Sequence, residues 1–194
     1  MLTTENRIYD KKDLHVFLEK EVIEKGILGH FKRLFTLTER SILDKHQIFL
    51  RKCEYYFNTK NRILYPYYRL RLNKLQNKYS IHIPMNCCGK GLKLMHVGPV
   101  LINGGATIGE NCSIHINTAI VAKGVTDDIP TIGNNVVIGV GSVIVGGVSI
   151  ADGVAIGANA VVLNNVVEKD IAIAGVPAKK VSNNGKNSWG RKRS

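Results

Sequence analysis

An aliphatic residue, most often isoleucine, recurs every six positions through the second half of the chain, and that period excludes most folds at once. Stepping by six from Ile102 gives Ile108, Ile114, Ile120, Thr126, Ile132, Ile138, Ile144, Ile150, Ile156 and Val162, so ten of the eleven positions are β-branched aliphatics. An amphipathic helix needs apolar spacing near 3.6 and a half-buried strand needs 2; a strict six serves neither. Glycine follows the aliphatic at 109, 133, 139 and 157, and a small or β-branched residue precedes it by two, as in Ala106, Cys112, Thr118, Ser142, Val148, Val154 and Ala160. Short fixed repeats of this kind stack into a solenoid whose interior the repeated residue fills. Each hexad supplies one strand and one turn, and three hexads close a triangular coil. The predicted fold is therefore mainly β: a left-handed parallel β-helix of about five coils, preceded by a short α-helical arm.

Residue usage divides at the same place. All twelve Phe and Tyr lie between Tyr9 and Tyr79, while 17 of 19 glycines follow residue 80, as expected if a narrow prism leaves no room for a ring inside. Three units follow: 1–80 as a helical packing or assembly module, 81–182 as the β-helix, and 183–194 as a basic tail. Within the first unit the spacing of apolar residues predicts helices over 10–25, 38–59 and 66–78, the last with Pro66 in its first turn, where a missing N–H costs nothing. Glu39 lies near the start of the second, where the helix dipole favours a negative charge.

The net charge of +12 belongs to the ends: 1–80 holds 17 basic and 9 acidic residues, 81–178 holds 4 and 6, and 179–194 holds 6 and none. The coil thus needs no polyanion. Between Lys45 and Lys74 eight basic residues and one Glu54 alternate with aromatics. No nucleic-acid recognition motif accompanies this run, and nucleic acid is not an expected partner. A peripheral contact with an anionic membrane surface is a second expectation for it. No run of eighteen apolar residues and no apolar signal segment are present, so the chain reads as cytoplasmic. Cys53, Cys87, Cys88 and Cys112 lack zinc-ligand spacing and scaffold density, and read as free structural thiols.

Two interruptions of the repeat mark a candidate site. The frame His82, Cys88, Leu94, Val100 does not continue into Ile102 but slips by two, and His96 lies at the slip. The stretch 121–130 is the polar, turn-rich break in the hexads, and it reads as a loop thrown out from the coil. The hexads, the run Gly89-Lys90-Gly91-Leu92-Lys93-Leu94-Met95-His96, the loop before Ile132 and the closing Ala174-Gly175-Val176-Pro177-Ala178-Lys179 together resemble the hexapeptide-repeat acyltransferases. The likeness is nearest to serine acetyltransferases and their relatives in polysaccharide biosynthesis, and it spans about 80–182.

The resemblance implies an acetyl-CoA-dependent O-acetyltransferase, a homotrimer with active sites between subunits. His96 matches the general base of that family; a histidine with pKa near about 6.5 is mostly neutral at pH 7 and can take the proton of an attacking hydroxyl. By matched positions the backbone at Ala122, Val140 and Ala158 would hold the pantetheine arm, and Lys179 and Lys180 the nucleotide phosphates. The family's orienting aspartate is replaced by Ile81, so either His82 or a backbone carbonyl is expected to set the tautomer of His96, or the base is weaker than in the family; His82 is also an expected substrate-binding residue. His115, one coil on, is expected to contact or support the substrate. A zinc site of His82, His96 and His115 is not expected, because no two of them are close in sequence. Where the family grips serine, this chain has Met95, Asp128 and Ile129. With Asp127 and Asp128 facing the acceptor, the reading favours a sugar hydroxyl in capsular or exopolysaccharide synthesis over L-serine, with a non-catalytic trimeric scaffold as a further alternative.

Overall fold

A computed structural model of the chain describes residues 7–23, 38–124 and 128–188. Helix α1 (Lys11–Leu18) starts at Asp10, whose carboxylate accepts the Asp13 N–H while Asp13 accepts that of Asp10. This reciprocal cap satisfies two of the donors that a helix start leaves open. The helix runs on into one π-helical turn, Glu19–Ile23. Helix α2 (Glu39–Asn58) is capped by Thr38, and α3 (Leu64–Tyr79) carries Pro66 in its first turn and ends at Ser80 with φ 57°. All three predicted helices form; residues 24 and 25, expected to end the first, lie outside the described residues.

From Ile81 the chain coils as a left-handed parallel β-helix with three faces. The first face stacks β1 (Ile81–His82), β3 (Val100–Ile102), β6 (Thr118–Val121), β9 (Val143–Val145) and β12 (Val161–Val162). The second stacks β4 (Thr107–Ile108), β7 (Thr131–Ile132) and β10 (Ser149–Ile150). The third stacks β2 (Lys93–Leu94), β5 (Ser113–Ile114), β8 (Val137–Ile138), β11 (Ala155–Ile156) and β13 (Ala172–Ala174), with β14 (Lys179–Ser182) antiparallel at its end. The repeat sets the register. Ile102 lies over Ile120 and Ile144, Ile108 over Ile132 and Ile150, and Ile114 over Ile138 and Ile156. These isoleucines are buried, and so are the seven residues that precede the hexad aliphatics by two. The glycine after each aliphatic answers to the next coil: a Cβ on Gly109 would come within 2.5 Å of Asn134 Oδ1 and 2.7 Å of the Gly133 carbonyl.

Both interruptions appear as changes of register. Leu94 pairs with Ile114 and Cys88 with Ile108, twenty residues apart, whereas Ile102 pairs with Ile120, eighteen apart. The two extra residues therefore lie between β2 and β3, around His96. The six-residue frame does not extend back to His82. Ile81 pairs with Val100, so the strand's alternation turns His82 outward beside Leu101 and leaves Ile81 and Ile83 to fill the interior. Ile108 pairs with Ile132, twenty-four apart, so the loop absorbs one whole hexad; Thr126 belongs to it and lies outside the described residues.

A stacked coil leaves the backbone of its first turn with no strand below it. The helical arm fills that need with side chains. Gln47 Nε2 donates to the Leu92 carbonyl at 2.8 Å, Gln76 Nε2 to that of Ile83 at 2.8 Å, and Arg51 to those of Cys88 and Gly89 at 3.0 and 2.9 Å. Glu21 accepts the Leu92 N–H and Glu54 the Asn86 N–H, at 3.1 and 2.9 Å. Arg51 is fully buried, paired with Glu21 at 2.7 Å and Glu54 at 2.9 Å, and its guanidinium lies over the Phe17 ring. The arm, expected as a packing or assembly module, is thus the cap of the solenoid. At the other end, the Gly185 and Lys186 N–H groups donate to the carbonyls of Asp170 and Gly153, so residues 183–188 of the expected tail lie against the coils. All four cysteines are free and buried, and burial pushes the thiols of Cys53 and Cys112 up to about 11. Among the described residues no helix is long and apolar enough to cross a membrane.

Arg51→Met strips two buried carboxylates of their counter-charge and is expected to cost about 3–5 kcal/mol in urea unfolding. Adding Glu21→Gln and Glu54→Gln should recover part of the loss. An unchanged unfolding midpoint in the single variant would show that the cap is held elsewhere.

Candidate active site

The corner between the third and first faces carries residues 95–99, 115–117, 139–141 and 157–160 on successive coils. The corners stack closely: the Asn117 N–H donates to the Pro99 carbonyl at 2.6 Å, and a Cβ on Gly98 would meet an Ile116 methyl at 2.9 Å. At the first coil the two extra residues push this corner outward. His96 therefore stands on the surface, its side chain 56% exposed. His115 occupies the same corner one coil on, and the two ring centroids are 6.4 Å apart. Burial first, and the neighbouring His96 second, push the His115 pKa down.

The start of α2 reaches the same corner. Glu39 Oε1 accepts the Val97 N–H at 2.8 Å and lies 3.4 Å from His96 Nδ1. The Val97 N–H above all, and then His96, hold the Glu39 carboxyl below the usual carboxylate range. The group at Nδ1 of His96 is therefore this carboxylate, where the sequence reading expected His82 or a backbone carbonyl. Fifty-seven residues separate Glu39 from His96, and the sequence signal at Glu39 was only that of a helix start. A cavity of about 170 Å³ lies between α2 and β2, lined by Arg40, Asp44, Gln47, Leu94 and Met95 among others; Arg40 and Met95 are the chain neighbours of Glu39 and His96, which do not themselves line it.

The other expected site residues fall in three places. Val140 and Ala158 share the His96 corner, two and three coils further on, which at about 4.8 Å per coil puts them about 10 and 14 Å along the prism. Both are exposed. Ala122 is half-buried where β6 gives way to the loop; Asp128 is exposed at the loop's far end beside Gly147, and Asp127 lies outside the described residues. Lys179 and Lys180 are exposed on β14, where Lys180 is paired with Glu168. Among the described residues no three His, Cys, Asp or Glu side chains are grouped so as to hold a metal ion.

Comparison with known proteins agrees with this architecture. The model of the bacterial transferase hexapeptide family (six repeats) matches residues 129–164. The chain is 35% identical over 132 residues to a serine acetyltransferase of Buchnera aphidicola subsp. Acyrthosiphon pisum, which covers 66% of this chain and 47% of that protein. It is 41% identical over 102 residues to the probable serine acetyltransferase 1 of Oryza sativa subsp. japonica, covering 52% and 33%. The chain thus spans about half or less of the length of these relatives. Among solved structures, a serine acetyltransferase from Brucella abortus strain S19 in complex with coenzyme A superposes with a TM-score of 0.62 at 22% identity, covering 90% of this chain and 68% of that one. The soybean serine acetyltransferase apoenzyme gives 0.63 at 22% identity, covering 88% and 68%. At that identity the likeness is one of fold. The chain is serine acetyltransferase-like in its hexapeptide-repeat region, as its residues suggested.

The two imidazoles are close enough to sense each other. In proton NMR titrations His115 should titrate below a free histidine, and His96→Ala should move its midpoint upward, because one of the two causes of the depression is then gone. An unmoved midpoint would show that the rings are not neighbours in solution.

Proposed function

We propose that the chain is an acetyl-CoA-dependent O-acetyltransferase with His96 as its general base. The observation that carries this reading is an exposed imidazole, with a carboxylate at Nδ1, on the corner of a hexapeptide-repeat coil like that of the serine acetyltransferases. Nε2 of His96 takes the proton of the acceptor hydroxyl as its oxygen attacks the thioester carbonyl, and returns it to the departing thiolate. The donor lies along the corner, its pantetheine arm against the backbone of Val140 and Ala158 with Ala122 from the loop side, and its phosphates toward Lys179 and Lys180. Placing His96 on an open edge suits a homotrimer in which a neighbouring subunit closes the site.

The relatives favour L-serine as acceptor over the sugar hydroxyl expected from the residues. The sugar reading keeps one specific support: Met95 beside His96, and Asp128 and Ile129 at the loop, stand where resemblance implies groups that grip an amino acid. His115 and the cavity under α2 give either acceptor polar surroundings beside the base. The arm supports a further contact. Ile63, Tyr67 and Leu70, 82%, 50% and 70% exposed, run along the outer side of α3 with Lys74, an arrangement that suits the surface of an anionic membrane.

Thiol release from acetyl-CoA is the test, with L-serine, nucleotide sugars and oligosaccharides as acceptors. L-serine should support turnover, and His96→Ala should lower kcat by about 10²–10⁴-fold with an unchanged circular dichroism spectrum. Release with sugars alone would move the acceptor to the second reading. No release with any acceptor would leave a non-catalytic scaffold. Flotation with phosphatidylserine vesicles should show salt-sensitive binding, and its absence would remove the membrane contact.

A further inference from the structure

We infer that Glu39 is the positioning residue of His96, so that the helical arm and not the coil supplies the carboxylate that decides which ring nitrogen carries the proton. The inference deepens the acetyltransferase reading and rests on it for its kinetic arm only. One carboxylate oxygen, Oε1, serves both partners: it accepts the Val97 N–H at 2.8 Å and faces His96 Nδ1 at 3.4 Å. The Val97 bond pins the oxygen to the residue next to His96, so the carboxylate and the ring are tied to the same short piece of backbone. A carboxylate at Nδ1 holds the proton there, and the lone pair is left on Nε2, which is the form a base needs.

The coil has no group of its own for this task on the strand below. Ile81 and Ile83 are turned into the interior, and His82 is in register with Leu101 on the first face. The two-residue slip provides the geometry instead. By pushing the corner outward it brings His96 and Val97 over the first turn of α2, whose position is set further along the same helix by Gln47 on the Leu92 carbonyl and Arg51 on those of Cys88 and Gly89. A rigid helix carries that anchoring back to Glu39. Capping of the first coil and orientation of the base are in this way two functions of one helix. In the reaction, the Nδ1–H stays on the ring throughout. The hydroxyl proton goes to Nε2 as the C–O bond forms, and from Nε2 to the thiolate as the C–S bond breaks.

Nitrogen NMR of ¹⁵N-histidine-labelled protein separates positioning from a merely structural role. Wild type should show the Nδ1–H tautomer at His96. Glu39→Gln keeps an acceptor for Val97 but offers Nδ1 an N–H donor, and should shift the ring toward the Nε2–H tautomer; Glu39→Ala should give a mixture. In thiol release, Glu39→Gln should lower kcat by about 10–100-fold, less than the roughly 10⁴-fold of a buried Asp–His pair because this carboxylate is half exposed to water. The KM for acetyl-CoA should stay within about twofold, since Glu39 does not touch the donor. An unchanged tautomer in both variants overturns the inference, whatever happens to kcat. A wild-type protein that releases no thiol overturns the acetyltransferase reading instead, and the tautomer still decides the role of Glu39.

Discussion

The lower edge of the first coil, which has no strand beneath it, is the constraint on which the rest of this structure depends. Every later coil finds its hydrogen-bond partners in the coil beneath, but the first has none, and an open parallel edge would pair with another chain. Arg51 is the centre of the answer. It is buried with no access to water, neutralised by Glu21 from the end of the first helix and Glu54 from its own, and it spends its remaining donors on the Cys88 and Gly89 carbonyls. Such a cluster adds little net stability against an apolar replacement of the same shape. What it contributes is direction: the partners are satisfied in one arrangement, which sets how the arm sits on the prism.

That arrangement has a consequence for chemistry. The same helix that carries Arg51 begins at Glu39, and its start lies against the one corner of the first coil where the register slips. A regular corner would keep its backbone within the stack. The two extra residues release it, expose His96, and let a carboxylate from outside the coil reach Nδ1. The nearby cavity is lined mainly by the same two elements, α2 and β2, so the exposed imidazole, its carboxylate neighbour and the cavity are all products of how the cap docks.

The repeat made the coil readable in advance. From Cys88 onward six-residue spacing names the interior residues, and those that the structure describes are buried. The absence of Phe and Tyr from 81 onward was equally plain, and so were the loop before Ile132 and the slip near His96, because each of these two is a local departure from a strict period. That His115 stands one coil on from His96 also follows from counting residues, whereas Val140 and Ala158 were named by resemblance. What could not be counted was the arm. Its helices were legible from apolar spacing, but helical periodicity says which side is buried and not against what; Gln47, Gln76 and Arg51 look like ordinary polar positions until the open edge of the coil is placed beside them.

By itself the sequence determined the period, and therefore the prism, its interior and the place where its regularity fails, since neighbouring coils impose the same packing on every hexad. Only the tertiary structure decided that Ile81 and Ile83 turn inward and His82 outward, that the basic aromatic arm is a cap, and that Glu39 stands at His96. The reason is physical. A repeat carries its contacts at a fixed separation that can be read along the chain, whereas the contacts of Arg51 and Glu39 with the first coil span tens of residues at no fixed interval and exist only once two separately formed elements have docked.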